Sequence, residues 1–248
     1  MFPIRDHNPS GRAAYVNFSL IAINIAVFLG YWLTLSDENA RGLFVYTWGM
    51  VPERIMAGQS WGTLITSMFL HGGWMHIFGN MLFLWIFGDN LEDQMGHVGY
   101  LLFYLAAGLC AAALQIAIDP GQPAPMVGAS GAIAGVMGGY LLLFPRARID
   151  VLFIFVIFFR IFAIPAWIVL GVWFGLQFYS GTMASVAGDN VAYMAHVGGF
   201  AGGLVLTAPV WLRRGGFSYW QNTHGRPQHP ETDFKLSRTT IPRVGRRR

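Results

Sequence analysis

Residues 127–144 read VGASGAIAGVMGGYLLLF. The stretch holds no Asp, Glu, Lys or Arg, and Gly131, Gly135 and Gly139 recur at the i, i+4 spacing that lets helix backbones touch. As an α-helix it would rise about 27 Å, close to the thickness of a bilayer's hydrocarbon core, which takes about 20 apolar residues per crossing. It reads as a membrane span with a small-residue packing seam. Five further runs of the same kind flank it, at 16–35, 70–88, 98–118, 164–180 and 191–212. The expected fold class is therefore an all-α membrane protein, a bundle of six transmembrane helices. Residues 36–69 are rich in Trp, Gly and Met, too interrupted to span and too apolar for a simple linker, and are expected to form an interfacial, partly helical first loop. The run 151–159, between Arg148 and Arg160, is too short to cross and is expected to lie along the interface or re-enter.

Composition agrees. Of 248 residues 54% are hydrophobic and 11% charged, against about 25% charged in soluble domains. The net charge of +4 does not describe a nucleic-acid-binding face, because nine of the sixteen basic residues follow position 212. Cys110 is the single cysteine, so neither a disulfide framework within the chain nor a multi-cysteine metal site is available. Arg5 and Arg12 precede an apolar run, as in a signal peptide, but 16–35 is long for an h-region and has no small-x-small cleavage site after it. The chain divides into an N-terminal segment 1–15, a six-helix core 16–212 and a basic tail 213–248 with a disordered composition. Six crossings put both termini on one side, and the positive-inside rule makes that side cytoplasmic: 14 basic residues then lie inside, with Arg41 and Arg54 outside. No long Arg/Ser-rich presequence is present, which favours a bacterial inner membrane over a mitochondrial one.

Polar groups within membrane helices are costly and mark function. His76, Asn80, Ser130 and His196 fall on the second, fourth and sixth crossings, which run from outside to inside, and each lies near the start of its helix. All four thus come to one depth, about 5–15 Å below the outer surface. Gly198/Gly202 and Gly199/Gly203 on the sixth crossing repeat the seam of the fourth, so the two helices can approach closely enough for Ser130 to meet His196. A serine hydroxyl becomes a nucleophile when an imidazole within about 2.6–3.2 Å takes its proton. His76 and Asn80, at i and i+4, share a helix face and, with the Ser130 backbone N–H, offer donors for an oxyanion. No acidic residue is placed to complete a triad, which leaves a dyad needing no cofactor.

In these segments, His71-Gly-Gly-Trp-Met-His76-Ile-Phe-Gly-Asn80, Gly128-Ala-Ser130-Gly131 and Ala195-His196-Val-Gly-Gly199, the chain resembles the rhomboid intramembrane serine proteases. The likeness covers about 16–212, the family's six-helix core. It implies a rhomboid-like fold with Ser130 as nucleophile, His196 as general base and acid, and His76, Asn80 and Ser130 as oxyanion donors. His71, Gly128, Gly131 and Gly199 are then structural residues beside the site, Glu92 is structural at the inner end of the second helix, and the fifth helix is a candidate lateral gate. The expected partners are single-pass transmembrane substrates within the lipid bilayer. The chain carries Ala134 where members often have an aromatic residue packing on the catalytic histidine, and Gly62 after Trp61 where many have Arg.

Other readings carry less. Zincins place two histidines at i, i+4 with a Glu between; His71 and His76 are five apart with no acid, so no metal is expected. A transporter would carry internal repeats and intramembrane charges, and neither is evident. The alternative is a catalytically silent, client-binding relative, a class that tends to lose nucleophile or base; both are present here. Gln177 and Asn24 are read as structural, and Trp167, Trp173 and Phe174 as lipid-facing or core.

Overall fold

The computed structural model describes residues 2–155, 158–187 and 192–226. In chain order the elements are β1 (Phe2–Asp6), α1 (Tyr15–Thr34), α2 (Glu38–Trp48), α3 (Pro52–Met56), α4 (Thr63–Thr66), α5 (Trp74–Met95), α6 (His97–Ile118), α7 (Ser130–Leu143), β2 (Arg148–Phe155), β3 (Phe158–Pro165), α8 (Ala166–Ala187), α9 (Tyr193–Arg213) and α10 (Phe217–Thr223). A helix falls on each of the six apolar runs. Among the described residues α1, α6 and α9 are by themselves long and apolar enough to cross a membrane, with mean hydropathies of 1.8, 2.2 and 1.3. The first loop is partly helical, as its composition suggests: Asp37 caps α2 by accepting from the Ala40 N–H at 3.1 Å, and Pro52 sits in the first turn of α3.

The glycine spacing decides what lies at the centre. All of Gly131 to Tyr140 on α7 is buried, with α6 on one side and α9 on the other. A Cβ on Gly199 would stand 2.0 Å from the Gly131 carbonyl oxygen, and one on Gly203 the same distance from that of Gly135. On the other side a Cβ on Gly135 would stand 2.3 Å from Ala107 of α6. The backbones are in contact, which in an apolar medium is where helix association finds its energy.

α7 is shorter than the run that encodes it. Helical structure starts at Ser130, because Met126 is held in extended backbone by paired hydrogen bonds with Met50 (3.0 and 2.7 Å) and the Gly128 N–H donates to the Ser67 carbonyl at 2.9 Å. Fourteen residues rise about 21 Å, so Ser130 begins below the level at which a full span would start. Irregular backbone at that depth is tolerated when protein covers it, and here the first loop does so.

At the other end of α7 lies a three-stranded antiparallel sheet in the order β1-β2-β3. The run expected to lie along the interface or re-enter forms β2 and the start of β3, with Ile149 and Val151, two apart on one face, both buried. β1 is tied to it by side chains as well as backbone: Arg5 Nε donates to Asp150 at 2.6 Å and His7 Nε2 lies 2.8 Å from the same carboxylate. Asp6 accepts from the Tyr140 hydroxyl at 2.7 Å, and burial pushes its carboxyl up to about 8. Burial also acts on Asp150, but the hydrogen bonds and charges of Arg5 and His7 outweigh it and hold that carboxyl below its ordinary range.

Glu92, buried near the end of α5, closes the start of α1. Its carboxylate accepts from the Val16 N–H at 2.9 Å and the Asn17 N–H at 2.7 Å, and meets His97 Nδ1 at 2.5 Å. A carboxylate satisfies N–H groups that the first turn of a helix leaves unpaired and complements its dipole. In the basic tail, α10 packs on this same end: Trp220 Nε1 donates to the Leu142 carbonyl at 2.9 Å, and the Trp211 and Trp220 rings lie 5.0 Å apart, tilted by 53°. The helix thus occupies part of a stretch whose composition suggests disorder, because its aromatic residues find a surface; 227–248 lie outside the described residues.

Candidate active site

Ser130 is the first residue of α7, so its backbone N–H has no partner within the helix and stands at the positive end of the helix dipole. His196 lies in the first turn of α9, beside the Gly199–Gly131 contact. With the two helices in backbone contact, His196 Nε2 and Ser130 Oγ come to 2.8 Å, a hydrogen bond across 66 residues of sequence. For Ser130 to donate in that bond, Nε2 must be unprotonated and the proton of a neutral ring must sit on Nδ1. Nδ1 faces Gln177 Oε1 of α8 at 2.7 Å, and an amide oxygen can only accept. The two contacts therefore select one tautomer.

His76 projects from the first turn of α5. The Gly72 N–H donates to its Nδ1 at 3.2 Å, so a neutral His76 carries its proton on Nε2. That nitrogen faces the gap beside Ser130: a Cβ on Gly128 would stand 2.8 Å from His76 Nε2 and 3.5 Å from Ser130 Oγ. Glycine keeps the gap open and also accommodates the local φ of +125°. Asn80, one turn further along α5, is buried, and its Nδ2 has no hydrogen-bond partner among the described residues.

His76, Asn80, Ser130 and His196 line one cavity of about 550 Å³. Its apolar wall includes Phe83, Ile133 and Met137, and α8 contributes Trp173 and Gln177. His71 stands apart from that lining. It is fully buried, its ring is 5.2 Å from His76, and its backbone exchanges hydrogen bonds with the Tyr31 hydroxyl of α1. It fixes the start of α5 from behind. Among the described residues no three His, Cys, Asp or Glu side chains are grouped as a metal ion would require.

Sequence reasoning missed the contribution of α8. Trp173 and Gln177 are four residues apart, hence on one helical face, and a lone amide in an apolar run was a signal of a buried polar contact. What no local pattern gives is the direction of that face. The Trp173 and His196 rings lie 5.9 Å apart, tilted by 39°.

A family model described as the rhomboid domain matches residues 57–213. The chain is similar to the rhomboid protease GluP of Bacillus subtilis (strain 168), 29% identical over 199 residues, covering 80% of this chain and 36% of that protein. It is similar to RHOMBOID-like protein 7 of Arabidopsis thaliana, 33% identical over 173 residues (69% and 48%). It is also similar to the mitochondrial Rhomboid protein 1 of Saccharomyces cerevisiae, 27% identical over 195 residues (73% and 49%). The chain spans between about a third and a half of the length of these curated relatives.

Proposed function

This chain belongs to the rhomboid family, and on that premise we propose that it is a multi-pass intramembrane serine endopeptidase working through Ser130 and His196. The observation that carries the proposal is the 2.8 Å contact between Ser130 Oγ and His196 Nε2 at the wall of a cavity that His76 and Asn80 also line. A nucleophile, a base in the right tautomer and unpaired donors around one space are the components of acyl transfer.

In this reading the Ser130 oxygen attacks the scissile carbonyl as its proton passes to His196 Nε2. Charge develops on the carbonyl oxygen within reach of His76 Nε2–H, Asn80 Nδ2–H and the Ser130 N–H. The imidazolium then protonates the leaving amide nitrogen, the C–N bond breaks, and an acyl-enzyme remains on Ser130. Water attacks that ester with His196 again as base, the bond from the acyl carbon to the Ser130 oxygen breaks, and His196 returns the proton to that oxygen as the acid product leaves. About 550 Å³ is ample space for several waters beside a substrate, each taking about 30 Å³. A substrate helix has its carbonyls hydrogen-bonded internally, so the bond to be cut must lie in a locally unwound stretch. The proposed substrates are single-pass membrane proteins cut in or near their spans. The proposed setting is a cell membrane, a bacterial inner membrane above all, with both termini cytoplasmic, which the 14 basic residues of the N-terminal segment, the sheet region and the tail support.

The test is reconstitution in liposomes with a generic single-pass substrate, comparing wild type, Ser130→Ala and His196→Ala. A new fragment with wild type that disappears in both variants is the expected result. Wild type that leaves intact a substrate cut by another active rhomboid would sink the proposal and favour a silent client-binding protein.

A further inference from the structure

We propose that Gln177 on α8 is the positioning residue for the base: its side-chain oxygen accepts the Nδ1 proton of His196 and, with Trp173 against the ring, holds the imidazole so that Nε2 faces Ser130. This rests on the dyad proposed above. A free neutral imidazole divides itself between two tautomers, and the form protonated at Nε2 cannot take the serine proton. A ring hydrogen-bonded on one side alone can also turn about its side-chain bonds. Both freedoms are removed from α8. Gln177 Oε1 stands 2.7 Å from Nδ1, and the Trp173 ring is tilted 39° to the imidazole at 5.9 Å between centroids.

The choice of an amide has a consequence. A carboxylate in this place would hold the tautomer and in addition stabilise the imidazolium; an amide oxygen holds the tautomer and adds little charge stabilisation. The other groups facing the ring do not supply that charge. α7 presents the Ser130 hydroxyl and α5 presents His76, itself a cationic group when protonated, while α6 meets α9 through Cys110, which contacts Gly202 rather than the ring. Among the described residues no carboxylate lies within hydrogen-bond distance of His196. Because both supports come from α8, the base is complete only while α8 is seated on α9, where Phe174 stacks on Phe200 at 4.7 Å.

Steady-state cleavage of a single-pass substrate in liposomes, measured from pH 5 to pH 9, tests this with wild type, Gln177→Leu, Gln177→Met and Gln177→Glu, and with Ser130→Ala as the blank. Leu and Met fill the space without accepting the proton, so kcat is expected to fall on the order of 10- to 100-fold with KM within twofold of wild type. Glu restores the acceptor as a carboxylate. Its kcat is expected to return to within a few-fold of wild type, with the acid limb of the kcat profile moved up by about one pH unit. Leu and Met variants within twofold of wild type in kcat overturn the proposal. So do three variants that lose activity alike with an unmoved acid limb, or a loss confined to KM, since these report packing and not proton acceptance. A wild type that does not cut, with activity no higher than Ser130→Ala, refutes the dyad itself and is thereby distinguished from a failure of Gln177.

Discussion

Two polar clusters are embedded in this apolar chain, and they are built on opposite terms. Around Glu92 the buried carboxylate is met by the N–H groups of Val16 and Asn17 and by His97, and Asn17 in turn accepts from Tyr100 and donates to the Leu84 carbonyl. Around Ser130 the donors are left open: Asn80 Nδ2 has no partner among the described residues, and His76 directs a ring N–H into the cavity. The first cluster uses its polarity to fix α1 against α5 and α6. The second leaves donors facing the cavity, as the proposed oxyanion role requires. A buried polar group that stabilises the fold finds its partners in the protein; a donor that is to hold a ligand has to be left without one.

The sharpest attempt to break this contrast is Ser130→Ala. Cleavage is expected to drop by about 10⁴-fold or more, while the thermal midpoint in detergent stays within a degree or two, because Ser130 Oγ bonds a group of the site and no structural one. A large loss of midpoint would show that the two clusters are not separable. Asn80→Ala extends the argument: an oxyanion donor is worth about 10²- to 10³-fold in kcat, yet removing a buried amide whose Nδ2 has no partner among the described residues should leave stability unchanged or raise it. Kinetics and melting on one preparation decide whether the two move independently.

Glu92→Ala is the reverse case. It strands two N–H groups at the start of α1 and takes the partner from the half-exposed His97, and the expected cost is about 2–4 kcal/mol of stability, read as a lower melting midpoint; whatever folded protein survives should retain its kcat. On the seam between α7 and α9, Gly203→Ala forces a methyl onto the Gly135 carbonyl and should cost about 1–3 kcal/mol. Gly30→Ala, which meets nothing within 4 Å on α1, should be neutral or gain up to about 1 kcal/mol.

The smallest expected effect is one of pH, at the sheet. The Asp6 carboxyl is raised by burial to about 8 from an ordinary 3.8, so the docked strand prefers the protonated form. Its contribution is complete below pH 4 and is lost progressively as pH rises towards 8. Asp150 has the opposite sign: its carboxyl is lowered, so its pairing with Arg5 and His7 is present above pH 4 and fails as pH falls through its lowered value. Amide exchange of residues 2–6 should therefore be faster at pH 9 than at pH 6 once corrected for intrinsic rates, and Asp6→Asn should flatten the difference. An unchanged corrected ratio in the variant would show that Asp6 is not the group responsible.

Much of the molecule is legible in its residues, for an identifiable reason. An apolar run of about 20 residues in lipid has few ways to satisfy its backbone other than a helix, so the positions of α1 and α5 to α9 follow from composition alone. Glycine at i, i+4 states which faces approach, and the parity of the crossings places His76, Asn80, Ser130 and His196 at one depth before any coordinate is known. The tertiary structure decided what depends on partners distant in the chain. Extended pairing of Met126 with Met50 makes α7 start at Ser130. Pairing with β1 turns the short apolar run 151–159 into part of a sheet. The rotation of α8 about its own axis brings Gln177 and Trp173 onto His196. A hydrophobic run determines that a helix exists and about where it lies; its ends, its rotation and its loops are set by the neighbours it packs against, and those contacts belong to no local stretch of sequence.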